Sequence, residues 1–291
     1  MSLSSIHSHE TSDSQKPIKL RTADSSHVPF LLRSKYCDYD HDLIQGLSNE
    51  LSMSSSNDRE LAVKTFYWVR DQIIYNVGQI SESSSETLRQ KRGTCSNKAN
   101  LLVALLRANG IPAAFRTMRV KTKEYFGPAI TARFRKFLSH ESFHVFAAVN
   151  IEGVWLGVDP SDDYELSINS HHFNPQSKPV EFDGTKNALL NLDPTTILQV
   201  NEANLPHIDE ILEKQPRIPP TLLQVFNMCM NFGRMNGRDY QDPEKLTGDF
   251  FVSLAKQHPN EYAFFCAAER ALEANSALKK KTAADQIERS I

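Results

Sequence analysis

One stretch of this sequence is apolar enough to require a place at the centre of a fold. It begins at Cys95, carries apolar residues at helical spacing as far as Ala108, and is followed by Asn109-Gly110 and then Pro112. Glycine accepts a left-handed backbone and proline cannot continue a helix, so this ending is a helix stop signal. The pattern predicts a buried helix with the thiol of Cys95 on its first turn.

Two short runs rich in β-forming residues, 143–149 and 154–158, predict a hairpin with a four-residue loop. If residues 149 and 154 close that loop, His144 lies directly opposite Asp159, with Cβ atoms about 4.5–5.5 Å apart. A register slip of one residue would place the two side chains on opposite faces. The spacing therefore predicts an imidazole–carboxylate pair, in which the carboxylate fixes the histidine tautomer and stabilises its cationic form.

A thiol at a helix start, an imidazole and a carboxylate are the parts of an activated cysteine nucleophile. The unpaired N–H groups of a first helical turn carry about half a positive charge and favour an anion. Together with a nearby imidazolium they can lower a thiol pKa from about 8.5 to about 3.5–7.5. The same N–H groups can receive the oxyanion of a tetrahedral intermediate. We therefore predict that Cys95, His144 and Asp159 form a catalytic triad.

The remaining sequence predicts a loose tail at 1–27, a catalytic core at 28–170, a wrapping segment at 171–220 and a C-terminal helical region at 221–291. Apolar periodicity, caps and turn residues predict the other elements. They are helices at 40–51 and from 57 to about 75, a loop at 81–85, a strand at 113–120, and helices at 209–214, 221–234, 243–257 and 261–279.

Composition narrows the function classes. The chain has 291 residues and a net charge of −2, so we expect neither a nucleic-acid nor a membrane partner. Its four cysteines are widely spaced, and the N-terminus lacks a signal-like apolar segment, so we expect reduced thiols in the cytoplasm. Asp162 and Asp163 follow Asp159 without the spacing of a calcium loop. They are interpreted as solvated turn residues, and we expect no metal and no cofactor.

Five further residues are weaker candidates for the site. Ser96, Trp68 and Gln79 could supply oxyanion or substrate contacts, although core packing or surface exposure is the better interpretation of Trp68 and Gln79. Arg116 and Arg119 begin a basic stretch that extends to residue 136. These cations could select an anionic substrate or simply form a solvated face.

Five sequence blocks between residues 68 and 160 resemble the transglutaminase-like superfamily, within the wider papain-like group of cysteine enzymes. The resemblance covers residues 40–165 and includes Arg92-Gly93-Thr94-Cys95-Ser96-Asn97, Leu105-Leu106-Arg107-Ala108-Asn109-Gly110-Ile111-Pro112, and Trp155-Leu156-Gly157-Val158-Asp159-Pro160. It implies an α+β fold in which N-terminal helices pack on an antiparallel sheet, with the C-terminal helices as an appendage. It also implies Cys95 as nucleophile, His144 as base and Asp159 as the orienting residue.

Such a family includes protein cross-linkers, deamidases, peptidases, amide-forming enzymes and inactive members, so the resemblance indicates a mechanism more than a reaction. Hydrolysis of an amide is the first hypothesis. Acyl transfer to an amine, including an arylamine-acetyltransferase-like reaction, is the second, and a non-catalytic binding module is the third. The substrate could be a peptide, a protein, or a small amide or thioester. The sequence does not reveal the oligomeric state.

Overall fold

The predicted buried helix is helix α4, Cys95–Ala108, in the computed structural model of the chain. The structure describes residues 25–78, 80–127, 130–173, 178–214 and 218–288. Residues 96–107 are all buried, because helices cover one side of α4 and a sheet covers the other. The side chains of Thr94 and Asn97 each accept a hydrogen bond from the other's backbone N–H, which caps the helix start. The stop signal is confirmed at Gly110, whose φ is 73°.

Three α-helices precede α4 in the described ranges, after a 3-10 helix at Ser25–Leu31: α1 (Asp42–Met53), α2 (Asp58–Gln72) and α3 (Ser84–Gln90). The first two confirm the predicted helices. Asn57 caps α2, since its Oδ1 accepts a hydrogen bond from the Glu60 N–H at 2.9 Å. The loop predicted at 81–85 is wrong at its second half, because Ser83 accepts a hydrogen bond from the Glu86 N–H and thereby starts α3.

A four-stranded antiparallel sheet packs against α4, with the strand order β5-β4-β3-β6. Its strands are β3 (Ala113–Lys121), β4 (Glu141–Ile151), β5 (Val154–Val158) and β6 (Ile197–Leu205). Two short parallel strands, β1 (Ile74–Tyr75) and β2 (Arg92–Gly93), lie beside the start of α4. Helices on an antiparallel sheet confirm the α+β class, whereas β6 had no signal in the sequence.

The register of the β4–β5 hairpin differs from the prediction. The turn consists of only Glu152 and Gly153, whose φ angles are 54° and 87°. Positive φ at both positions is the mark of a tight two-residue turn. Every predicted pair is therefore shifted by two residues, so His144 and Asp159 are not directly opposite. A shift of two keeps each side chain on its face, and the two residues remain diagonal neighbours.

The C-terminal helices confirm the three that were predicted: α9 (Pro220–Asn236), α10 (Pro243–Gln257) and α11 (Pro259–Glu288). Two shorter helices precede them: α7 (Tyr164–Ser170) and α8 (Asp209–Glu213). Nowhere in the described residues does a helix have both the length and the hydrophobicity needed to cross a bilayer.

The segment between β3 and β4 joins the core to these C-terminal helices. It contains two short helices, α5 (Thr122–Tyr125) and α6 (Ala132–Arg135). The ring of Phe134 on α6 is buried, and its centroid lies within 5.5 Å of three rings from the C-terminal helices: Phe226, Phe251 and Phe265. This second apolar cluster places the segment 121–142 between the sheet and the C-terminal helices.

Candidate active site

Cys95 is the first residue of α4 and lies beside strand β4. Thr94 is the N-cap, so the thiol belongs to the turn whose N–H groups have no partner within the helix. Its Sγ lies 3.9 Å from the Ser96 Oγ, and the nearby backbone N–H of Val145 contributes to lowering the pKa of the thiol. The position therefore offers an anionic sulfur both the helix N-terminus and a donor from the sheet.

His144 connects this thiol with a carboxylate. Its Nε2 lies 2.6 Å from the Asp159 Oδ2, and the two side chains are only 2% and 1% exposed. The other carboxylate oxygen accepts hydrogen bonds from the backbone N–H and the hydroxyl of Ser161. Asp159 is thus fixed by its own contacts and holds the imidazole in place.

The electrostatic environment of Cys95, His144 and Asp159 favours a negatively charged thiolate beside a positively charged imidazolium. Burial opposes the thiolate, but His144 and the Val145 N–H outweigh it, so the pKa of Cys95 lies below its ordinary value. Burial likewise opposes the imidazolium, but Asp159 and Cys95 raise the pKa of His144 well above its usual range. Both directions stabilise a thiolate–imidazolium pair.

Tyr125, at the end of α5, is a site residue that the sequence did not indicate. Its hydroxyl lies 3.0 Å from the His144 Nδ1, the ring nitrogen that does not contact Asp159. Burial, followed by neighbouring acidic groups, raises the pKa of Tyr125 well above 10, so the hydroxyl is neutral. The contact depends on α5 folding over the sheet, and no spacing in the sequence reports that packing.

The three weaker oxyanion candidates have different positions. Ser96 is buried next to Cys95 on the first turn of α4. Trp68 is half-buried on α2, where the Lys91 Nζ lies 4.4 Å from its ring centroid. Gln79 lies outside the described residues. Among these candidates, the structure brings Ser96 to the thiol.

The basic residues make contacts within the protein. Arg116 donates a hydrogen bond to an asparagine of β6, and Arg119 pairs with a glutamate of β4 at 3.3 Å. Further along the stretch, Arg133 and Lys136 both pair with Glu269 of α11, at 2.7 and 2.9 Å. These ion pairs attach the segment 121–142 to the C-terminal helices.

Asp162 and Asp163 are not the solvated turn residues that the sequence suggested. Asp163 is 3% exposed, caps α7 and pairs with Arg234 of α9 at 2.7 Å. Asp162 is half-buried, and burial followed by the nearby Asp159 raises its pKa to about 6. Within the described ranges, no three His, Cys, Asp or Glu side chains are grouped to hold a metal ion.

A cavity of about 160 Å³ adjoins the site. Tyr125 and Asp162 line it at the side of His144 and Asp159, and apolar residues of α6, α9 and α10 form much of the remaining wall, including Phe134, Phe226 and Met230. The wall combines segments that are far apart in the sequence. Only the acidic run after Asp159 could have drawn attention to any part of it.

Comparison with known proteins gives a family match and partial matches to solved structures, two of which are described below. Residues 45–160, which include Cys95, His144 and Asp159, match the family model of the transglutaminase-like superfamily. No curated protein matches the sequence.

Both similar structures come from bacteria. A candidate cysteine protease from Cytophaga hutchinsonii is 24% identical, with a TM-score of 0.39, over 48% of this chain and 43% of that one. A candidate protease from Parabacteroides distasonis is 14% identical, with a TM-score of 0.30, over 45% of this chain and 25% of that one. The chain therefore covers less than half the length of either structure.

Proposed function

We propose that this chain, whose residues 45–160 match the family model of the transglutaminase-like superfamily, is an enzyme that forms a covalent acyl-cysteine intermediate. The observation that carries the proposal is the environment of His144. One ring nitrogen contacts Asp159 at 2.6 Å, and the imidazole is close enough to Cys95 to lower the pKa of the thiol. A histidine placed between a thiol and a carboxylate can transfer the proton that acyl transfer requires.

The proposed reaction starts with attack of the Cys95 thiolate on the carbonyl carbon of an amide or a thioester. The carbonyl oxygen becomes an oxyanion, which the first-turn N–H groups of Cys95 and Ser96 can stabilise. His144 gives a proton to the leaving amine or thiol as the tetrahedral intermediate collapses to a thioester with the enzyme. Water or an amine then attacks this thioester while His144 accepts its proton, and the thiolate leaves.

Hydrolysis and acyl transfer differ only in the second nucleophile, so both remain forms of the same proposal. The arylamine-acetyltransferase-like reaction is one form of acyl transfer. A non-catalytic binding module is the rival hypothesis. The binding-module hypothesis does not explain why the pKa of His144 is raised and the pKa of the neighbouring Cys95 thiol is lowered. Perturbed groups of this kind are concentrated at functional sites.

The pH dependence of alkylation tests the nucleophile. In a Cys266→Ser background, the iodoacetamide reaction rate at Cys95 should stay high well below the pH at which an ordinary thiol, with a pKa of about 8.5, loses its reactivity. Burial raises the pKa of Cys37 and of Cys229 to about 12, so neither should compete. A Cys95 that reacted only above about pH 8 would support the binding module.

Mass spectrometry of the intact protein tests the intermediate. Incubation with an activated ester should add one acyl group to Cys95 and none to a Cys95→Ser variant. Rapid loss of the adduct in water alone would identify a hydrolase, whereas loss that requires an added amine would identify a transferase. A chain that alkylates at low pH but is never acylated would contradict the proposed reaction.

A further inference from the structure

The cavity beside the site is lined by four parts of the chain. They are β1 with the loop after it, the segment 121–142, helix α7 with the flanking residues 162, 173, 178 and 190–192, and the helices α9 and α10. Apolar side chains dominate: Phe126, Ile130 and Phe134 come from the segment 121–142, and Phe226, Met230 and Leu246 come from α9 and α10.

Two residues that line this cavity also lie next to the candidate active site. The Tyr125 hydroxyl contacts the His144 Nδ1 at 3.0 Å, and Tyr125 lines the cavity. Asp162 lines it as well and is close enough to Asp159 and His144 to interact with both electrostatically. A molecule in the cavity would therefore lie one side chain away from Cys95 and His144, which do not line it themselves.

We propose that this cavity binds the apolar acyl group of a small amide or thioester substrate, an inference that rests on the proposed function. The walls offer an aliphatic or aromatic group the burial that stabilises it, and apolar cavities of about 150 Å³ hold benzene-sized molecules. Because the walls come from several elements rather than two facing surfaces, the site suits a compact acyl group better than an extended peptide. The C-terminal helices then determine substrate specificity.

Gly233 of α9 provides a direct way to fill the cavity. It lines the wall, and a Cβ built at this position has no heavy-atom neighbour within 4 Å. Gly248 of α10 is equally unobstructed but exposed, and it does not line the cavity. Both lie inside helices, where leucine is a better helix former than glycine. Gly233→Leu and Gly248→Leu are thus a matched pair.

The test uses p-nitrophenyl esters of increasing acyl length, from acetate through butyrate and hexanoate to decanoate. For the wild-type chain, kcat/KM should rise by up to about fourfold for each methylene group that the cavity buries, and then stop rising. In Gly233→Leu, the hexanoate-to-acetate ratio of kcat/KM should fall at least about tenfold, because the leucine side chain fills the volume in which several methylene groups of the hexanoyl chain would be buried. Gly248→Leu should leave that ratio unchanged. Gly233→Met is a second, more flexible filling variant, and circular dichroism verifies that each variant folds.

The possible failures are distinguishable. If the esters acylate Cys95 but the rate ignores chain length, or Gly233→Leu and Gly233→Met keep the wild-type ratio, the acyl-binding role of the cavity is wrong and the proposed function stands. If no ester acylates Cys95 at any length, the proposed function is wrong, and the inference that rests on it is wrong as well.

Discussion

At the scale of the residue, His144 is held by contacts at both ring nitrogens. Nε2 meets the Asp159 carboxylate and Nδ1 meets the Tyr125 hydroxyl, so a flipped ring would lose both contacts. Burying an imidazolium is costly unless it is paired and its remaining protons have acceptors. Asp159 supplies the paired charge, and the Tyr125 hydroxyl can accept a hydrogen bond from the other nitrogen. The site can therefore keep a buried cation ready beside the thiol.

Asp159→Asn should separate the roles within this group. Without the carboxylate, the pKa of His144 falls, and the weaker imidazolium then lets the pKa of Cys95 rise. On any ester that acylates Cys95, kcat/KM should drop by up to about 10,000-fold, which is the loss of kcat seen when a triad aspartate becomes asparagine. The acid limb of the pH profile of kcat/KM, which follows ionisation of Cys95, should move to higher pH. A pH profile of kcat/KM beside the alkylation profile measures both effects.

An exposed aspartate gives the control, because Asp183→Asn removes a carboxylate that bonds only locally to Thr185. That variant should keep the wild-type profile. An Asp159→Asn profile with an unmoved acid limb would mean that Asp159 holds the histidine in place without setting its charge.

At the scale of the element, the sequence predicts faces better than registers. Alternation along β4 and β5 indicated that His144 and Asp159 share a face, and this holds because the error was two residues. The length of the turn could not be deduced, because Asn150 and Ile151 are acceptable either in a loop or in a strand. Glu152 adopts a left-handed backbone that glutamate seldom favours, so only the structure reveals the tight turn.

Elements whose placement depends on distant partners were beyond sequence reasoning. Strand β6 has no buried residue, and it is a strand because β3 offers it an edge. Tyr125 reaches His144 only because α5 folds back over the sheet. The buried helix α4 and the helices α9–α11, by contrast, were predictable, because caps, stop signals and apolar spacing are local.

A buried ion pair helps to fix helix α9 to the core, and its contribution to stability is measurable. Arg234 donates two hydrogen bonds to Asp163, at 3.0 and 2.7 Å, and one to the backbone carbonyl of Tyr75. Arg234→Met leaves the carboxylate buried without its partner, which should cost about 3–5 kcal/mol. Urea unfolding at neutral pH measures the loss, and the exposed Arg238→Met should stay within about 0.5 kcal/mol of wild type.

The same ion pair predicts how the difference in stability between wild type and Arg234→Met changes with pH. Burial opposes ionisation of Asp163, but Arg234 outweighs it, and the pKa of Asp163 lies below its ordinary value. Its contribution to stability is therefore complete above the ordinary aspartate pKa of about 3.9 and is lost as pH falls through the lower, folded-state value. The gap between wild type and Arg234→Met should shrink at acidic pH. If the stability difference stayed constant at acidic pH, the destabilisation by Arg234→Met would come from lost packing and not from the lost charge pair.

At the scale of the whole molecule, the candidate site lies between two apolar clusters. One surrounds α4 and the sheet, and the other surrounds Phe134 and the C-terminal helices. The segment 121–142 belongs to both regions, since Tyr125 contacts His144 and Phe134 packs among the helices. If the cavity between the two clusters binds substrate, their relative position must stay fixed. We therefore expect the chain to unfold as one cooperative unit.

Phe134→Ala tests that cooperativity. Removing a buried ring should destabilise the chain by about 3–5 kcal/mol, whereas the same change at Phe143, which is 53% exposed, should cost far less. Trp68 and Trp155 lie on α2 and β5, so tryptophan fluorescence reports the core, while far-UV circular dichroism also reports α9–α11. Both probes should show one coincident transition in urea, shifted equally by Phe134→Ala, because a two-state unit has no separate helical part to lose. Fluorescence that kept its wild-type midpoint while the dichroism transition moved would show that the C-terminal helices unfold alone. The cavity would then have one wall able to open independently of the residues that react.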